Sequence, residues 1–469
     1  MDALPSGESE QFSQQCENLP WDLERLNESL QTLREIRILT AKGRPTDNLI
    51  AALRQDGAHR GVFITHVMPA PKGKPDQPED YRVELNGLWN VSVCDTKTGE
   101  ISPLPAEYDE NTTVLSWHCW AQDSLLLRLS PADGSQKQAR AHAAALNGSY
   151  GISMAEEFSL AREPKSERML PPPDEIILGE DNVLVLDTAQ WRTDKDLWQD
   201  TEEMLRIGVA AKEKLGISTA AVSGAQPWFL PKEKPEHTLS LRVSFQSEIA
   251  LSSARLALED ADISQVRFNG EPLSKQQDGC FTDESIACFR VGPIKPGLNT
   301  VEIVKPIAAS TCTENLFLLG DFGVRVNGAD TCIIPAPRGL NYGDWTRQGL
   351  PFYSGTLTYR YHIRGGESLR LRLGLFSAPC VTAELDGKRI ANLSLSPSEA
   401  DLGFLTEGDH ILDITVFPSR INSFGAFHLN DDSLLWFGPQ AWRTTGMRWT
   451  RTYRLAPSGL LSEPHIFSY

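Results

Sequence analysis

At 469 residues the chain is too long for one core and suits roughly three or four domains, and its make-up, 40% hydrophobic and 23% charged with 35 glycines and 30 prolines, is that of a folded, turn-rich protein. A formal net charge of −17 argues against nucleic acid as a partner, because displacing counterions from phosphates needs a basic face. No apolar run of about 18 residues occurs and Met1–Pro20 is polar, so no membrane partner is expected and a cytoplasmic location is the expectation.

In chain order, Leu23, Leu26, Leu30 and Leu33 recur three or four residues apart and Ile36 follows, which predicts an amphipathic helix over Asp22–Arg37; a second short helix is expected over Thr46–Leu53. The period then becomes alternating. Val62–Val67, Tyr81–Leu85, Leu88–Cys94, Thr113–Trp117 and Ser124–Leu129 read as strands bounded by Pro, Gly, Asn and Asp turns, a first sandwich. Residues 136–175, ending in Pro171-Pro172-Pro173, read as a connecting segment with room for one extra hairpin. After a strand at Asn182–Leu186 comes one helix over Asp196–Leu215, with Gly216 placed for a left-handed cap. Leu239, Leu241, Val243 and Phe245 alternate with Ser240, Arg242, Ser244 and Gln246, and Leu369, Leu371, Leu373 and Leu375 alternate in the same way around Arg370 and Arg372. Such strands are wet on one face, unlike the continuous apolar runs of a parallel barrel.

The expected fold is therefore mainly β: tandem antiparallel β-sandwich or jelly-roll domains with a small N-terminal helical layer. Residues 1–58 are assigned to the helical segment, 59–135 to the first sandwich, 136–175 to the connection, 176–335 to a second sandwich carrying one helix, and 336–469 to a third. An internal pattern supports the duplication. Val266–Gly270 is followed by Pro296–Ile303, and Val381–Gly387 by Glu407–Val416, each time a strand, a turn, an intervening segment, a turn and a strand. The Asn269-Gly270 and Asp386-Gly387 pairs supply the positive φ that a tight hairpin demands. Tyr81–Gly87 carries a fainter version.

The run Gly343-Asp344-Trp345 through Gly349-Leu350-Pro351-Phe352-Tyr353-Ser354-Gly355-Thr356-Leu357-Thr358-Tyr359, with Asn422–His428 and Trp449–Tyr453, resembles the sugar-binding, galactose-binding-like jelly-roll domain of family 2 glycoside hydrolases. Leu186–Trp191, Gln226–Phe229 and Glu314–Gly323 are similar to stretches in the C-terminal region of large bacterial glycosidases, including α-L-rhamnosidase-like ones. The resemblance covers about residues 60–460. It implies architecture and an association with sugar. Family members place a catalytic (β/α)8 barrel ahead of such modules, and a barrel of about 250 residues has neither room nor pattern here. Carbohydrate and a catalytic barrel domain are thus the partners implied.

Sugar recognition needs flat apolar faces for the C–H side of a pyranose and amides or carboxylates for its hydroxyls. Trp345, Tyr353, Trp436 and Trp442 offer faces, and Asp344, Asn422 and His428 offer hydrogen bonds; core packing is the competing role for each aromatic, a backbone carbonyl for His428 and a turn cap for Asn422. No catalytic residue is assigned, since Asp431-Asp432 reads as a solvated turn and Asp321-Phe322-Gly323 matches a kinase triplet by letters alone, without a Gly-rich loop or His-Arg-Asp motif. No cofactor or metal is assigned either. The eight cysteines form no CxxC pair and read as free thiols, although spacing alone permits Cys280–Cys288 or Cys312–Cys332 bridges. The function expected is a non-catalytic, carbohydrate-associated portion of a glycoside hydrolase. The alternatives are a structural protein–protein interaction module and a complete hydrolase with an unrecognised site.

Overall fold

The computed structural model describes residues 25–26, 30, 33–67, 79–96, 99–120, 123–132, 164–219, 234–311, 313–394, 398–431 and 446–469. They fall in two compact units, one within Met1–Arg162 and the other formed by Glu163–Ser394 with Ser398–Tyr469. The architecture is the mainly β one: among the described residues the sheets are antiparallel apart from a short parallel contact between Gln246-Ser247 and Cys332-Ile333 and an isolated parallel bridge between Gly87 and Thr112.

In the first unit a four-stranded sheet, ordered Ile36–Thr40, Glu79–Asn86, Thr112–Cys119 and Glu107–Asp109, faces a five-stranded one, ordered Leu49–Asp56, His59–His66, Ser124–Pro131, Trp89–Cys94 and Ile101–Leu104. Alternate residues such as Val62, Ile64, Val83, Leu85, Leu127 and Leu129 meet in one core. The helix expected over Thr46–Leu53 is instead the edge strand Leu49–Asp56, which pairs along its whole length with His59–His66. Gly57-Ala58, with Gly57 at φ +59°, makes a two-residue hairpin loop, and the strand pairing across it overrides the helix propensity of Leu49-Ile50-Ala51-Ala52. Ile36 and Arg37 likewise begin a strand, so sandwich strands start inside the segment expected to be helical. Of the leucine stripe, Leu26 and Leu30 are helical, Leu26, Leu30 and Leu33 are all exposed, and Leu23 lies outside the described residues.

The second unit holds two sandwiches. One packs a five-stranded sheet (Asn182–Leu186, Leu316–Gly320, Ala254–Leu258, Asp283–Val291, Gln277–Phe281) against a sheet built around Thr188–Thr193, His237–Ser247 and Gly297–Ile307. The other packs Glu175–Leu178, Leu357–Arg364, Asp409–Phe417, Cys380–Leu385 and Lys388–Leu393 against Ser166–Met169, His465–Ser468, Ser368–Arg372 and Glu399–Phe404. Two strands of this last sandwich, Ser166–Met169 and Glu175–Leu178, thus precede the whole of its neighbour in the chain, and the neighbour is an insertion between Leu178 and Leu357.

The duplicated hairpins have the expected backbone: φ is +49° and +87° at Asn269 and Gly270, and +51° and +78° at Asp386 and Gly387. The equivalence extends to side chains. Asn269 Oδ1 accepts Thr300 N–H and Asp386 Oδ1 accepts Ile411 N–H, each at 2.9 Å, tying the turn to the long neighbouring strand. The helix is shorter than expected, Met204–Leu215, because Gln199–Glu203 forms a strand against Thr188–Thr193. Glu203 caps it, its carboxylate accepting Leu205 and Arg206 N–H at 3.1 Å, and Gly216 at φ +69° closes it. Cys280, Cys288 and Cys332 are free thiols.

Candidate functional site

Of the aromatic residues nominated from sequence, the two that are described are structural. Trp345 and Tyr353 are each 1% exposed, edge to face at 6.1 Å in the core of the sandwich formed by Leu357–Arg364 and its partners. Neither presents a face to solvent, which corrects the expectation that they stack on sugar. Asp344 spends its carboxylate on Thr346 N–H and Oγ1 and on Ser458 N–H, capping the turn that buries Trp345. Buried Asn422 clamps Ala456 from both sides, donating from Nδ2 to its carbonyl at 2.8 Å and accepting its N–H at 2.9 Å. Trp436 and Trp442 lie outside the described residues.

His428 belongs to a buried polar cluster instead of a surface site. Its Nε2 lies 2.9 Å from Asp187 Oδ2, while Tyr453 donates to Asp187 Oδ1 at 2.6 Å. These bonds fasten residues 421–431 and 446–456 onto the inserted sandwich, where Phe424 also packs on Phe281 and Phe317. Burial pulls the imidazole pKa down, but Asp187 beside it and Glu203 more than offset this and hold it above the usual value. Desolvation pushes the Glu203 carboxyl up to about 7 against the pull of its two N–H donors, and Asp187 adds to the rise. Tyr453 is raised by burial and then by Asp187.

What the nominated segment does position is an open cleft of about 430 Å³. Three short stretches line it: Leu178–Asn182 between two strands, Gly320–Phe322 at the next turn, and Ala336-Pro337 with Leu350 at the back. The Tyr353 hydroxyl sets the first stretch, donating to Thr356 O at 2.6 Å and accepting Gly179 N–H at 3.0 Å. Gly355 is required by proximity, since a Cβ there would lie 2.7 Å from Glu180 Cδ.

The polar side chains lining the cleft are acceptors. Glu180 is held by Arg420 at 3.0 Å and Asp181 by Arg255 at 2.8 Å, whereas Asp321 is exposed and has no ion-pair partner among the described residues. Asn182, 3% exposed, donates from Nδ2 to Phe322 O at 2.8 Å and to Gly349 O at 3.3 Å. Two carbonyl partners fix the amide's orientation and leave its buried Oδ1 with no donor. A buried acceptor left in that state costs about 1–3 kcal/mol.

Sequence reasoning missed Asn182, read only as the start of a strand, and Asp321, set aside with its triplet. The available signal was that Glu180-Asp181-Asn182 and Gly320-Asp321 flank two strands that pair with each other, Asn182 opposite Gly320. Among the described residues no group of three or more His, Cys, Asp or Glu is arranged to hold a metal ion, and no helix is long and apolar enough to cross a membrane.

No family model and no curated protein matches the chain. Among solved structures it is similar to the rhamnosidase from Novosphingobium sp. PP1Y, with 12% identity and a TM-score of 0.39 over 95% of this chain and 26% of that one. It is also similar to the Streptomyces avermitilis α-L-rhamnosidase (12%, TM-score 0.21, 92% of this chain, 38% of that one) and the β-D-mannosidase from Dictyoglomus thermophilum (13%, TM-score 0.21, 50% and 31%). The chain spans about a quarter to two fifths of the length of these proteins.

Proposed function

We propose that the chain is a non-catalytic, carbohydrate-associated portion of a glycoside hydrolase, whose sandwiches support a catalytic barrel and whose cleft at Asn182 contacts the glycan. The observation that carries this is a cleft whose volume falls within the roughly 300–1,000 Å³ range of small-ligand sites and whose polar lining, the Glu180, Asp181 and Asp321 carboxylates, offers acceptors for hydroxyl donors. A hydroxyl-rich ligand supplies donors to that lining. Glycoside hydrolysis needs two carboxylates facing one sugar. Glu180 and Asp181 are each committed to an arginine, so the cleft favours binding over hydrolysis. Affinity electrophoresis of the full chain through neutral polysaccharides should show retardation that Asp321→Ala weakens; migration unaffected by every glycan would leave scaffolding alone. Turnover of nitrophenyl glycosides, α-L-rhamnoside included, would contradict the non-catalytic assignment.

A second reading, protein–protein interaction, is favoured by the first unit. Its edge strand Leu49–Asp56 is exposed at all but two positions, and Ile50 and Phe63 stand 57% and 38% exposed on one sheet face. Sedimentation of the full chain separates the two: a concentration-independent monomer that captures no partner removes it.

A further inference from the structure

Away from the cleft, the outer face of the inserted sandwich carries a basic strip. Gln190 pairs with Arg242, Arg242 with Glu302 and Glu302 with Arg267 across neighbouring strands, and in the adjoining row Arg192 pairs with Ser240, Ser240 with Val304 and Val304 with Gln265. Alternation puts these side chains on one face, where three arginines share one acid, Glu302. Trp198, in the connection between Thr188–Thr193 and Gln199–Glu203, lies against two of the arginines: the Arg192 and Arg242 guanidinium carbons are 4.7 and 4.3 Å from its ring centroid.

Arg242 is answered by Glu302, to which its Nε donates at 2.9 Å. Arg192 is not answered. Among the described residues it has no ion pair and no hydrogen bond; its Nε is buried, whereas its two Nη groups are accessible. Acids of the connecting turn are spent elsewhere, Asp194 on His237 and Asp196 on Lys214, and the exposed Asp200 pairs with neither guanidinium. A guanidinium steadied by an indole, with its Nη fork open, is suited to take a carboxylate bidentately.

We infer that Arg192 and Trp198 form a second subsite, on this outer sheet face, for the carboxylate of a uronic-acid residue in an acidic polysaccharide; that the carboxylate belongs to a sugar rests on the carbohydrate reading above. The carboxylate accepts from both Nη groups of Arg192, while Val304, 38% exposed, and Gln265 in the same row offer an apolar contact and an amide to the ring. An ion pair at the surface is worth a factor of about two to five.

Titration calorimetry of the full chain at low ionic strength with tri-D-galacturonate, its neutral trimethyl ester and tri-L-glutamate tests this. A chain of net charge −17 repels anions as a whole, so a preference for the acid reports a local cation. Galacturonate should bind about two- to fivefold tighter than its ester, with triglutamate weakest. Arg192→Gln should bring galacturonate down to the ester level or below, and Arg192→Lys, which keeps the cation, should keep the preference. Arg364→Gln, at an exposed arginine of the other sandwich, should change nothing. An ester that binds as tightly as the acid, or an acid preference that survives Arg192→Gln or is lost equally in Arg192→Lys, overturns the inference and leaves the carbohydrate proposal standing. Triglutamate matching galacturonate also overturns it, because the face then reads an acidic peptide as well as a sugar. Silence from all three overturns it too, and the carbohydrate proposal is then decided by neutral polysaccharides at the cleft alone.

Discussion

Glu203 makes the second unit lose stability as pH rises. Its carboxyl is 7% exposed, caps the helix Met204–Leu215 and titrates near 7 in place of 4.5, chiefly because burial penalises its charge. A folded-state pKa above the unfolded value means that the native state binds the proton more tightly. The stabilisation is complete below pH 4.5 and lost as pH climbs through about 7. The shift corresponds to roughly 3 kcal/mol between the two ends. His428, also raised, shifts the balance in the same direction. Glu203→Gln removes the titration while keeping an amide oxygen for one of the N–H groups. In urea unfolding from about pH 4.5 to about pH 8.5, the variant should gain roughly 3 kcal/mol on the wild type. Parallel profiles for the two proteins would refute the assignment.

Truncating His428 to Ala removes one of the two side chains that hydrogen-bond buried Asp187 among the described residues, leaving the Tyr453 hydroxyl, and should cost roughly 3–5 kcal/mol by thermal or urea unfolding. Trp345→Ala opens a cavity in a fully buried position and should cost about 3–5 kcal/mol, with any loss of sugar retention following stability. At the hairpin turn, Gly387→Ala places a side chain at φ +78° and should cost about 1 kcal/mol, read as a lowered urea midpoint with an unchanged slope. Gly355→Ala forces Glu180 aside and should weaken saccharide retention while leaving the Glu203-dependent pH profile intact.

The fold was legible where local chemistry and tertiary pairing agree. Asn269-Gly270 and Asp386-Gly387 announce hairpins because few other residues accept those dihedrals, and the Leu239–Phe245 alternation announces a half-buried strand. Leu49-Ile50-Ala51-Ala52 misled because helix propensity there is overruled by a partner strand across Gly57. The insertion between Leu178 and Leu357 was invisible, since nothing in Glu175–Leu178 indicates that its partner lies near residue 359. For the site, the nominated Trp345 and Tyr353 are core groups. Residues 344–355 are rich in the aromatics and hydroxyls that bind sugar, but those groups face inward, and Tyr353 acts by holding Gly179 against the cleft. The only signal for Asn182 and Asp321 was the acidic runs beside two strands, and an amide opening one strand and an acid after another are unremarkable until pairing brings them together.

Hydrogen–deuterium exchange of the full chain, with and without a saturating saccharide retained in electrophoresis, tests the central claim most directly. Carbohydrate contact at the cleft predicts protection confined to peptides covering 178–182, 320–322 and 336–337. Protection confined to any other face, with these three stretches unchanged, would contradict it.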